Sequence, residues 1–130
     1  MREVSVRWAQ GKFVQDIQVD QHHLRADEEP DKGGANTGPA PHELLLAAPG
    51  SCTAMTLKVY AERKGWPLRD ALVTLNAATT DGRFVITRQI ALTGELDAEQ
   101  RQRLIEIADK CPVHKTLTGA IAIVTTERVP

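Results

Sequence analysis

The sequence predicts an α+β fold: mostly antiparallel sheet, one central buried helix and a second, more exposed helix. Three observations support this. Short runs of apolar–polar alternation recur near the start and through the middle of the chain. Residues 42–64 are apolar at helical spacing on most faces. Two strand-like runs meet at Asp81-Gly82, a pair that favours a tight hairpin turn.

The 130 residues carry a formal charge of −1, with 42% hydrophobic and 25% charged residues, and this fits one domain spanning 1–130. Aromatic residues make up only 4%, so Val, Ile, Leu and Ala must fill the core. A near-neutral chain lacks the concentrated Lys and Arg excess that nucleic acid demands. No apolar run approaches bilayer-spanning length and no basic-then-apolar leader opens the chain. A cytoplasmic protein with neither nucleic-acid nor membrane partners is therefore expected.

The elements follow in order. Val4, Val6 and Trp8 alternate with Glu3, Ser5 and Arg7, which predicts a half-buried strand. Gln10-Gly11 supplies a turn, residues 13–19 form the antiparallel partner, and residues 23–26 form a third short strand. Residues 27–41 are rich in Pro, Gly and acidic side chains, which predicts a long loop without regular structure. The helix over 42–64 begins at Pro41 and stops at Gly65, and Pro67 prevents continuation. Pro49 lies inside it and predicts a kink just before Cys52. Residues 72–75 and 84–92 are further strands. Asp97 is an N-cap, with Gln100 completing a capping box, for a helix reaching about Lys110 and ending at Cys111-Pro112. Residues 120–126 read as a last strand.

Two cysteines, Cys52 and Cys111, are the residues with the most chemical potential. In a reducing compartment such a pair is either inert packing or transiently catalytic. Cys52 lies among the small residues Gly50, Ser51, Thr53 and Ala54 on the buried helix. A free cysteine there is often a small hydrophobe filling a gap. Small neighbours, however, let a substrate come close, and a helix restarted at Pro49 would set Cys52 in a first turn that favours thiolate. Cys111 is flanked by Lys110, His114 and Lys115, positive groups able to support a thiolate, although an incidental surface cysteine would look the same.

Other chemistries lack their motifs. The histidines His22, His23, His42 and His114 show no paired ligand spacing with the cysteines, so no metal site is expected. His22 and His23 also fall on opposite faces of a strand. The glycine pairs make no phosphate loop or dinucleotide fingerprint, and Ser51 is outside a nucleophile elbow. No cofactor is implied.

Residues 33–56, GGANTGPAPHELLLAAPGSCTAMT, closely resemble the OsmC/Ohr family, and residues 108–117, ADKCPVHKTL, resemble the segment around that family's second cysteine. The resemblance extends over nearly the whole chain. It implies an OsmC-like intertwined homodimer with active sites at the dimer interface. It also implies that Cys52 attacks an organic hydroperoxide, and possibly hydrogen peroxide, to give a sulfenic acid. Cys111 would then condense with it to a disulfide, and a dithiol reductant of the lipoyl type would restore the pair.

Two family features have no direct counterpart. The arginine that holds the peroxidatic thiolate charged aligns near Ala9, with Arg7 and Lys12 as the nearest cations; Arg25 is a candidate substitute. The family's glutamate aligns on His42, with Glu43 one residue later on another face. His42, Glu43 and His114 are candidate supporting or acid–base groups. Without a cation within about 4–6 Å a buried thiol ionises poorly. The expected function is a thiol-dependent hydroperoxide reductase; a non-catalytic small-molecule binder or redox sensor, or a thiol–disulfide exchange protein, is the alternative.

Overall fold

Strands β1 (Ser5–Trp8), β2 (Gln15–Val19) and β3 (His22–Ala26) form an antiparallel sheet in that order, Val6 pairing with Ile17 and Ile17 with Leu24. The computed structural model describes residues 1–130, which divide into two compact units, Met1–Ala47 and Ala48–Pro130. All of β1 is exposed, whereas the alternation predicted a half-buried strand. Its apolar side chains find no cover within this chain.

The loop after β3 is anchored rather than free. Asp27, fully buried, accepts the N–H of Glu28 at 2.7 Å and both the N–H and hydroxyl of Thr37, at 3.0 and 2.6 Å. A single 3₁₀ turn, Pro30–Lys32, forms where no regular structure was expected, because Pro30 presets its first position. Gly34 and Gly38 pass so close to the backbones of Glu28 and Arg25 that a Cβ at either would collide.

Helix α1 (Pro41–Lys64) contributes its first seven residues to the N-terminal unit and the remainder to the other. The helix does not restart at Pro49: α1 continues through it, although proline offers no N–H to the carbonyl four residues earlier. Cys52 thus sits in mid-helix, away from any first turn. By length and composition α1 could cross a membrane. Here, however, its stripe Leu57 and Ala61 packs into the core of the C-terminal unit.

That core joins Leu57 and Ala61 to Leu104 and Ile107 of α2 (Ala98–Ile107), with Trp66, Ile90 and Leu92 packed around them. Strands β4 (Leu68–Thr80) and β5 (Arg83–Gly94) form a long antiparallel ribbon, well beyond the predicted runs. Asp81 (φ 53°) and Gly82 (φ 75°) adopt the left-handed pair that a tight hairpin needs. The capping box is present: Asp97 accepts from Gln100 N–H at 2.8 Å, and the Gln100 side chain accepts from Asp97 N–H at 3.0 Å.

Two expectations about the C-terminal part need correction. The helical run does break at Cys111, α2 stopping at Ile107 and a 3₁₀ turn covering Ala108–Lys110, but a new helix α3 (Pro112–Thr118) that was not expected starts directly after it. Proline is tolerated in a first helical turn, so Pro112 begins an element rather than closing one. Residues 120–126 are not a strand, because no other strand in the chain offers them a ladder partner.

Candidate functional site

Cys111 is the N-cap of α3 and is fully buried. Its Sγ accepts the backbone N–H of His114 at 3.2 Å. Burial alone would push its thiol up. The N–H of His114, the side chains of Cys52 and Thr53, and the N–H of Val113 all point hydrogen-bond donors at the sulfur, and the net effect lowers its pKa below the ordinary thiol value. The Cys52 side chain, 59 positions earlier in sequence, is therefore a near neighbour of the Cys111 sulfur. Cys52 is partly exposed, and no disulfide links them.

Thr53, next to Cys52, is fully buried. It accepts a 3.0 Å hydrogen bond from Arg88 Nη1, while Arg88 Nη2 donates at 2.8 Å to Asp109, two residues before Cys111. The β4–β5 ribbon passes close to α1 at Gly50. A Cβ there would sit 2.7 Å from Leu75, and Leu75 is the cross-strand partner of Arg88. Arg88, opposite Leu75 in the ladder, lies over the same stretch of α1 and reaches Thr53.

Arg88 was not among the residues singled out from the sequence, although a signal existed. Ile86, Arg88, Ile90 and Leu92 share one face of β5, the partly buried one, so a charge stands in an apolar register. An inward-facing arginine needs a buried partner.

Of the supporting residues expected from sequence, His114 lies in this site: its N–H caps Cys111, and its Nδ1 is 4.0 Å from Asp109. Arg7, Lys12, Arg25, His42 and Glu43 all belong to the N-terminal unit. Arg7 is exposed on β1, and Lys12 Nζ lies 5.0 Å over the Phe13 ring. Arg25 is exposed on β3, paired in register with Asp16. His42 is exposed in the first turn of α1. Glu43 caps its own helix, accepting Ala40 N–H at 2.7 Å. An open cleft of about 360 Å³, lined by apolar Met55, Val59 and Ile107 with Arg63 and Lys110 among its cationic groups, lies along α1.

Comparison with known proteins places this geometry in context. The family described as OsmC-like protein matches residues 33–126, which include both cysteines and Arg88. No curated protein sequence matches the chain. Among solved structures, an OsmC-like protein from Mycoplasma pneumoniae superposes with a TM-score of 0.78 at 19% identity, covering 92% of this chain and 88% of that one. An organic hydroperoxide resistance protein OsmC from Legionella pneumophila gives 0.69 at 16% identity, covering 92% and 90%. An organic hydroperoxide resistance protein from Elizabethkingia anophelis gives 0.66 at 20%, covering 92% and 89%. At these identities the likeness is one of fold.

Proposed function

The chain belongs to the OsmC-like family, and on that premise we propose that it is a thiol-dependent peroxidase that reduces organic hydroperoxides. The observation that carries this reading is the nearness of the Cys52 side chain to the Cys111 sulfur, which the donors around it hold toward thiolate. The more exposed Cys52 meets the peroxide. As it attacks the distal oxygen, its proton passes to the neighbouring Cys111 sulfur. The O–O bond breaks, the alkoxide leaves as an alcohol after taking a proton, and Cys52 becomes a sulfenic acid. Cys111 then attacks that sulfur, water leaves, and a disulfide forms. The balance is one hydroperoxide and two thiols to one alcohol, one water and one disulfide; a dithiol, such as a lipoyl group, returns the pair to the reduced state. Hydrogen peroxide fits the same scheme.

The protein acts as a cytoplasmic homodimer in this reading, the second copy covering the apolar faces left open here. Arg7, Lys12, Arg25, His42 and Glu43 remain candidates to act at a site completed by that copy. The test is oxidation of the reduced protein by one equivalent of cumene hydroperoxide. The expected outcome is a mass loss of two hydrogens and one Cys52–Cys111 linkage, absent in Cys52→Ser. A reduced wild-type protein that stays reduced rules the peroxidase out.

A second reading, a non-catalytic small-molecule binder or redox sensor, is favoured by the cleft beside Met55 and Val59. A co-purifying apolar ligand, with both thiols inert to peroxide, would establish it. Thiol–disulfide exchange uses the same two sulfurs and would show as oxidation by a disulfide but not by a hydroperoxide.

A further inference from the structure

Cys111 must ionise inside a site where water does not reach it, and this depends on donors aimed at its sulfur. One of them, the Thr53 hydroxyl, sits on a helix, where a threonine hydroxyl commonly turns back to a carbonyl three or four residues earlier. Something has to aim it elsewhere.

We propose that Arg88 is the positioning residue of the cysteine pair: clasped by Asp109, it occupies the acceptor side of the Thr53 hydroxyl and so directs the Thr53 proton to the Cys111 sulfur. The inference rests on the redox reading of Cys52 and Cys111 given above and assigns one more residue to that site. Its basis is geometric. A guanidinium can only donate, so the 3.0 Å Arg88–Thr53 bond makes Thr53 Oγ1 the acceptor and leaves its own hydrogen available. The other prong, 2.8 Å from Asp109, fixes the guanidinium. Arg88 is 16% exposed at its side chain, so the pair is shielded on that side, whereas Asp109 is 67% exposed. The same clasp ties the turn before Cys111 to the helix that carries Cys52. Lysine, with a single point charge, cannot bridge both partners in this way.

The titratable and charged groups around Cys111 are Cys52 on α1 and His114 on α3, which reach its sulfur, with the Arg88–Asp109 pair two residues before it and Lys110 next to it in the chain. The test isolates one thiol in a Cys52→Ser background and follows ultraviolet thiolate absorbance against pH, with circular dichroism as the check on folding. Arg88→Met should raise the pH of ionisation, leaving roughly tenfold less thiolate at a pH below the midpoint, the scale of one hydrogen bond to a charged group. Thr53→Val should do the same. Arg88→Met added to Thr53→Val should change nothing further, since Arg88 acts through that hydroxyl, and Arg88→Lys should restore only part of the shift. A folded Arg88→Met with the unaltered titration overturns the proposal. If Arg88→Met does not fold, an unaltered titration in Thr53→Val overturns it equally. No peroxide enters this measurement, so inertness of the wild type to hydroperoxide would remove the peroxidase reading without touching the role of Arg88.

Discussion

Single residues set the chemistry of each unit, and Asp27 is the clearest case in the first. Its carboxylate accepts the Thr37 hydroxyl, the Thr37 N–H and the Glu28 N–H, and these hold its pKa down at about 2 from 3.8. The folded value is the lower one. The stabilisation is therefore complete above about 3.8 and is lost as pH falls through about 2. Urea midpoints recorded across that window should fall with pH in the wild type and much less in Asp27→Asn. The cysteines were legible at this scale, because two motifs surround them in the chain. Arg88 was not, since it belongs to no motif, and Thr53, inside the first motif, read only as a small neighbour of Cys52; each matters through what it touches. The expected help for Cys52 from a restarted helix also fails: the helix start nearest the pair belongs to Cys111.

At the scale of elements, local signals were strongest where the physics is local. The capping box at Asp97 and the hairpin turn at Asp81-Gly82 depend on groups within four residues of one another, and both form as read. Asp97→Ala should cost about 1 kcal/mol, seen as a lower melting temperature with native circular dichroism. Boundaries were harder. The chain turns at Cys111 because α2 gives way to a 3₁₀ turn, and proline marks the start of α3 as readily as it could have marked an end. Strands β4 and β5 outrun their apolar cores because ladder pairing extends through polar residues such as Asn76 and Thr87.

The whole molecule leaves much apolar surface open. Met55 and Val59 on α1 are 67% and 52% exposed, and Trp8 on β1 is 89% exposed. Isolated exposed side chains are ordinary, but a long helix with one buried stripe and a second apolar one suits a partner. With the homodimer as the expected assembly, Val59→Glu should shift sedimentation from dimer toward monomer, while the wild type should sediment as a dimer at micromolar concentration. A wild type that sediments as a monomer throughout would remove the dimer from the proposal. Residues 120–126 belong to the same question: their alternating pattern suits a strand, and nothing within one chain pairs with them.

By itself the sequence determined the fold class, the order of the main strands and helices from β1 to α2, the cap and turn at their stated residues, and the two cysteines as the candidates for chemistry. All of these are written in neighbouring residues, where periodicity, proline and glycine act over a few positions. Only the tertiary structure decided that Cys52 lies near Cys111, which of the two is held toward thiolate, and that an arginine from β5 bonds Thr53 and Asp109 beside them. Those depend on packing between segments separated by 58 intervening residues, and no local pattern encodes that approach.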